Sequence, residues 1–288
     1  MDIVSVVVVT YKSINVLETF ESIKKQDYKD IELIITDDCS NDCTINIIYN
    51  WIKNNKKRFV NVKFLKGYKN RGVSHNANRG LSCATGKYIK IIAGDDILIE
   101  HAITSYVEYY RSHEFDIIFS NIQYFGDEKL IKKDMENSKA ELSRNILKTL
   151  SQEKIRNYYL EKEYMPSQTI FFSHDFYKKI GGYNEKYPFW EDGPLYCNCI
   201  LNNWTIGFVD DVLVKGRISS KSISHSVNEK KLSYIGYMHL KDNIHYFFCL
   251  YLKACIRYKK FDLIKNKIPG VYKDIIRVLN NMKYYRRI

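Results

Sequence analysis

The sequence predicts an α/β fold built on a mostly parallel, doubly wound sheet, and three observations carry that expectation. Apolar strand-like runs alternate with helical stretches four times over about ninety residues, as βα units do. The strand runs are apolar almost throughout, as in Val4-Ser5-Val6-Val7-Val8-Val9 and Tyr88-Ile89-Lys90-Ile91-Ile92, which is how strands covered on both faces read. Each run ends in polar residues, at Thr10-Tyr11, at Asp37-Asp38 and at Asp95-Asp96. That brings them to one edge of the sheet, where open α/β sheets bind ligands.

In chain order, the first strand covers residues 4–9, and Leu17, Phe20 and Ile23 then recur at helical spacing. A second strand over residues 31–36 leads to Ser40-Asn41-Asp42, an N-cap cluster for a helix with Ile45, Ile48 and Ile52 on its inner face. A third strand is expected over residues 60–65, followed by Asn70-Arg71-Gly72 and a helix packing through Val73, Ala77, Leu81 and Ala84. Gly86 ends that helix before the fourth strand. A helix over residues 102–110 and a strand over 115–120 follow, and the polar stretch 126–150 reads as an insertion or loop. Residues 167–172 are strand-like, and Gly181-Gly182-Tyr183-Asn184 is a turn. Phe189-Trp190-Glu191-Asp192-Gly193 heads a helix over residues 194–201, and two short strands, 206–209 and 212–215, come after it.

Composition narrows the classes. With 45% hydrophobic and 27% charged residues the chain is globular. No Gly-x-Gly-x-x-Gly follows the first strand and no Gly-x-x-x-x-Gly-Lys-Ser/Thr occurs, which speaks against a dinucleotide dehydrogenase and a P-loop enzyme. The seven cysteines include no Cys-x-x-Cys, so neither a zinc site nor a disulfide framework is expected, and a reducing cytoplasm is. The chain runs straight into its first strand with no signal peptide ahead of it.

Two acid pairs suggest chemistry. Asp95 and Asp96 repel each other when bare, and a hard divalent cation shared with a phosphorylated ligand would relieve that; the alternative is that they only cap a following helix. Glu191 and Asp192 stand behind two large aromatics and could hold a catalytic base, or could simply start a helix favourably against its dipole.

Taken together these residues resemble the family 2 glycosyltransferases, inverting enzymes of the GT-A fold. Val-Ser-Val-Val-Val-Val-Thr-Tyr-Lys looks like the family's first strand and loop, and Thr36-Asp37-Asp38-Cys39-Ser40 like its second strand and turn. Asn70-x-Gly72, Asn78, Gly80-Leu81, Gly86-x-Tyr88-Ile89 and the Asp95-Asp96 pair match the segment leading to its metal site, and Glu191-Asp192 matches its acidic motif. There are three departures: Ala93 stands where a carboxylate is usual, Cys39 where Gly is usual, and Ala77 where Arg is frequent.

The resemblance implies a Rossmann-like nucleotide-binding sheet, mostly parallel, with mixed acceptor-side strands and C-terminal helices. Residues 1–220 would be the catalytic domain and 221–288 an extension. Thr10, Tyr11 and Asp38 would line base and ribose, with Arg71 nearby. Asp95 would approach the ribose or sugar, and Asp96 would bind Mn²⁺ or Mg²⁺, with Asp95 and His225 as further candidate ligands. Arg217 would touch the diphosphate or the metal. Asp192 would be the base that takes the acceptor's proton, with Glu191 next in line. The implied donor is a nucleotide-diphosphate sugar, such as a UDP-sugar. The implied acceptor is a saccharide or a polyprenyl-diphosphate-linked sugar of a growing bacterial polysaccharide. Two rivals are a sugar-phosphate nucleotidyltransferase and a non-catalytic assembly subunit with the same fold.

The net charge of +12 is concentrated in residues 229–288, which hold fourteen Lys or Arg against four Asp or Glu and eleven aromatics. Residues 244–256 are apolar enough for a buried or interfacial helix and too short to span a membrane. This composition suits an anionic membrane surface, placing the protein at the inner face of the cytoplasmic membrane, or else a helical cap with a solvated basic face. No nucleic-acid motif occurs, so no nucleic-acid partner is expected.

Overall fold

A computed structural model describes residues 2–136, 139–219 and 234–285. Four parallel strands form its first half: β1 (Val4–Thr10), β2 (Ile31–Asp37), β3 (Asn61–Lys66) and β4 (Tyr88–Ala93). Helices α1 (Val16–Lys24), α2 (Thr44–Asn55) and α3 (Val73–Leu81) connect them. The second half adds β5 (Ile97–Leu98), α4 (Ala102–Ser112), β6 (Ile117–Gly126), β7 (Phe171–Ser173) and β8 (Ile206–Ile218). All eight strands make one sheet of order β3-β2-β1-β4-β7-β6-β8-β5. β7 is antiparallel to both β4 and β6, which makes this half mixed.

Alternation along the strands builds two cores. In β1, Val4, Val6 and Val8 face one cluster with Leu33, Ile35 and Phe20. Val7 faces the other with Ile34, Ile89 and Leu81. Both faces are therefore apolar, which is why these strands lack a polar side.

Elsewhere the structure departs from the sequence reading. Residues expected to form a loop over 126–150 contain α5 (Glu128–Glu136) and α6 (Lys139–Leu147). Ser143 and Leu147, one turn apart, are buried, a sparse periodicity that charged neighbours mask. Helices α7 (Gln152–Lys162) and α8 (His174–Ile180) complete this half. The strand-like stretch 167–172 opens with a 3₁₀ turn, Ser167–Thr169, before β7. The two short strands expected over 206–215 are one, because Asp210 and Asp211 bulge out between Val209, opposite Ser120, and Val212, opposite Asn121.

After α9 (Asp192–Leu201), the C-terminal helices are α10 (Tyr234–Tyr246), a π-helical turn (Phe247–Tyr251), α11 (Leu252–Arg257) and α12 (Phe261–Tyr285). Tyr246, Phe247, Tyr251, Ala254 and Cys255 belong to the same core as Val7 and Ile89. Within that stretch Phe247 is buried, Leu252 is partly buried, and Phe248 and Ile256 are exposed. No described helix is long and apolar enough to cross a membrane.

Candidate active site

The carboxyl ends of β1 and β2 are locked by buried acids. Asp37 accepts Thr10 Oγ1 (2.9 Å), the Ser40 N–H (2.7 Å) and Ser40 Oγ (2.6 Å). Asp38 accepts the backbone N–H groups of Arg71 (2.9 Å) and Gly72 (2.8 Å), one on each oxygen. Each oxygen keeps a second lone pair for a ligand. Burial pushes the Asp38 carboxyl upward against the pull of those two N–H groups. Cys39 has φ +67°, the left-handed region that explains why glycine is usual at this turn. Asn76, which the sequence did not single out, donates to the carbonyls of Thr10 and Thr36 (3.1 Å each) and ties α3 to this edge. Tyr11 lies at the surface with the Lys12 ammonium 5.3 Å from its ring centre. The Arg71 side chain is exposed and pairs with Glu185 at 3.7 Å.

The second acid pair follows β4. Ala93 ends the strand exposed, Asp95 is half-buried and Asp96 is buried. Because β5 pairs with β8, with Ile97 opposite Lys215, Arg217 is brought to the acids. Its N–H donates to Asp96 Oδ1 (2.8 Å) and its Nε to the Asp95 carbonyl (3.0 Å), while its Nη2 meets Glu18 (2.8 Å). Burial and then the neighbouring Asp95 charge push Asp96 up to about 7, with Arg217 and Lys90 opposing. Among the described residues no group of three His, Cys, Asp or Glu could hold a metal. His225 lies outside the described residues. The chain thus offers two carboxylates with unused lone pairs, a donor set that fits a Mg²⁺ or Mn²⁺ ion completed by phosphates and water.

The third acid group is built from α9. Asp192 opens the helix; its Oδ1 accepts the Gly193 N–H (2.7 Å) and its Oδ2 accepts Ser167 Oγ (2.7 Å). Ser167 sits in the turn before β7. Since Phe171 pairs antiparallel with Lys90, that turn continues toward the carboxyl end of β4, the side of Asp95 and Asp96. The buried Lys90 reinforces this by donating to the Gln168 carbonyl (2.6 Å), and burial lowers its pKa to about 7. Glu191 precedes α9, and its carboxyl is pushed well above the usual range by burial and by the Asp192 charge beside it.

The loop carrying Glu191 and Asp192 is held from two sides. From α3, Asn78 Nδ2 donates to the Tyr183 carbonyl and its Oδ1 accepts the Tyr183 N–H (2.8 Å each). Gly72, at φ +92°, lies so close that a Cβ would be 2.3 Å from the Pro188 carbonyl oxygen. Gly72→Ala is therefore expected to cost about 2 kcal/mol or more, measured as a lowered midpoint of denaturant unfolding. From α10, Asp242 accepts the Phe189 N–H (3.0 Å), His239 stacks on Trp190 (5.5 Å, 22°), and Tyr246 lies 4.7 Å from Trp190. Tyr159 donates to the Gly193 carbonyl (2.7 Å) and meets the Tyr246 hydroxyl (3.1 Å). Phe189, one of the two aromatics ahead of the acid pair, is buried. Cys197 and Cys199 are buried in the core.

This arrangement of acids on one sheet edge can be set beside known proteins. The model of the glycosyl transferase family 2 matches residues 5–181, more than half of the chain. The chain belongs to family 2 of the glycosyltransferases. An uncharacterized glycosyltransferase of Methanocaldococcus jannaschii is 28% identical to this glycosyltransferase over 242 residues, 81% of this chain and 77% of the relative. The GalNAc(5)-diNAcBac-PP-undecaprenol beta-1,3-glucosyltransferase of Campylobacter jejuni is 35% identical over 107 residues, 36% of this chain and 33% of that enzyme. S. aureus TarS 1–349 in complex with UDP superposes with a TM-score of 0.63 at 18% identity, covering 99% of this chain and 91% of that one. The GT-A fold expected for this glycosyltransferase, with its added C-terminal helices, is therefore shown. The rival reading as a nucleotidyltransferase falls with it.

Ser167, Asn76, Asp242 and His239 are the site's supporting residues that the sequence did not point to. Each acts on a partner far along the chain, and no local pattern marks any of them.

Proposed function

We propose that this glycosyltransferase moves a sugar, with inversion, from a UDP-sugar to a hydroxyl of a polyprenyl-diphosphate-linked saccharide, in the building of a bacterial surface polysaccharide. The observation that carries the reading is Asp192, fixed at the head of α9 by Ser167 and the Gly193 N–H, on the sheet edge that also bears Asp95 and Asp96. Residues 1–220 would serve as the catalytic domain. The UDP complex of S. aureus TarS 1–349 supports the donor, and the undecaprenol-linked substrate named for the Campylobacter jejuni enzyme supports the acceptor.

In this reading Thr10, Tyr11 and Asp38 line the nucleoside, and Asp38 offers the lone pairs left by Arg71 and Gly72. Asp192 accepts the proton of the acceptor hydroxyl as its oxygen bonds to the anomeric carbon, while the bond from that carbon to the diphosphate breaks on the opposite face. The Ser167 hydroxyl holds the carboxylate in place through this step. Asp95 and Asp96 would hold a divalent cation, which when bound supplies counter-charge for the departing diphosphate. Arg217, set against both acids, adds positive charge on the same side.

A panel of UDP-, GDP-, CDP- and dTDP-sugars, incubated with a polyprenyl-diphosphate-linked acceptor extract and Mn²⁺, tests this reading. Release of UDP that rises on adding acceptor is the expected result. Release of another nucleotide instead would reassign the donor, and release from none would return the chain to a non-catalytic assembly role.

A further inference from the structure

We infer that the outer face of α12 is a docking surface for an anionic lipid bilayer. The basic, aromatic C-terminal segment raised a membrane reading from sequence, centred on residues 244–256. The structure moves that reading elsewhere, because Tyr246, Phe247, Tyr251, Ala254 and Cys255 are buried against the catalytic core.

Besides Phe248 and Ile256, the exposed large apolar residues of the described C-terminal helices are on α12. Phe261 is 59% exposed, Ile268 52%, Tyr272 62%, Ile276 40% and Leu279 59%. At the helical step of 100° per residue these five fall within an arc of roughly 80° and extend over roughly 27 Å. The packed side of the helix adjoins this stripe, about a quarter turn round: Val271 is buried, and Ile264, Ile275 and Val278 lie against the neighbouring helices. The helix therefore carries a broad apolar arc, and the protein covers only one part of it.

Charge identifies the occupant of the other. Lys265 falls within the stripe, and Asp262 and Lys273 lie on its flank, all exposed; the segment 229–288 carries fourteen basic residues against four acidic. Aliphatic and aromatic side chains flanked by lysines on a helix too polar to span suit the headgroup boundary of an anionic leaflet. The inference deepens the proposed lipid-linked acceptor by giving the enzyme a place to meet it. It draws its support from α12 alone.

The test is flotation of the full-length protein with vesicles of phosphatidylcholine alone and of phosphatidylcholine mixed with phosphatidylglycerol, neither containing a saccharide acceptor. The protein is expected to float with the mixed vesicles only and to be partly released by salt. I268S/L279S should lose most of this binding, and K265Q/K273Q should weaken it roughly thirtyfold, at about 1 kcal/mol per basic residue near such a surface. Both variants should keep the wild-type thermal shift with UDP, which shows that they fold. Wild-type protein that ignores anionic vesicles, or variants that float like wild type, would overturn the inference. So would light scattering that shows a wild-type dimer reduced to a monomer by I268S/L279S, since the face would then belong to a second copy. Failure of flotation leaves the donor panel unaffected, so the two readings fail separately.

Discussion

Asp192→Asn is expected to lower turnover by about 10² or more while leaving the binding of UDP unchanged. The substitution keeps the shape of the side chain, and the amide oxygen can still accept from Ser167 Oγ or from the Gly193 N–H. It removes the negative charge and the capacity to take a proton, together with one of the two acceptor oxygens. Helix α9 keeps its first residue, so the fold and the nucleotide edge at Thr10 and Asp38 are untouched. Steady-state rates set against a thermal-shift titration with UDP separate the two effects. Wild-type turnover in the mutant would move the base to Glu191, whose burial already holds its carboxyl toward the protonated form and makes it the weaker acceptor at neutral pH.

Asp96→Asn is expected to abolish the extra stabilisation that Mn²⁺ gives to the UDP complex. At about a hundredfold excess over its dissociation constant a ligand adds about 2.7 kcal/mol to the native state. The wild type should show that increment with UDP and Mn²⁺ together and little of it with UDP and chelator. The mutant should show the chelator value in both. Asn at this position still accepts the Arg217 N–H, so loss of the response reports on the carboxylate and not on a broken turn. An unchanged Mn²⁺ response would take Asp96 out of the metal reading and leave Asp95 to carry it.

The parts of the molecule that were legible in the sequence share a physical reason. β1, β2 and β4 are covered on both faces, so their composition alone betrays them, and the acids at their ends stand out against an apolar background. Gly72 and the residue at position 39 were legible because a left-handed backbone restricts what can stand there. What stayed hidden depends on partners distant in the chain. Ser167 meets Asp192 across 25 residues and Asp242 meets Phe189 across 53, and neither side chain looks unusual in its own neighbourhood. α5 and α6 were hidden because charge masks their narrow apolar face. The single strand β8 read as two because Asp210 and Asp211 interrupt its pattern. The role of residues 244–256 needed the packing itself, since a buried and an interfacial helix carry the same composition.

The hold of α10 on the loop of Glu191 and Asp192 bears on how the protein is made. The loop leaves the ribosome well ahead of the helix whose Asp242, His239 and Tyr246 secure it. A nascent chain that contains all of residues 5–181, the stretch matching the family, does not yet include Glu191 and Asp192, and one that includes them still lacks α10. In the proposed reading, competence for transfer is thus a late event in synthesis, since a chain ended before α10 lacks the contacts that secure Glu191 and Asp192. Such fragments would also expose the apolar surface that α10 and α11 cover.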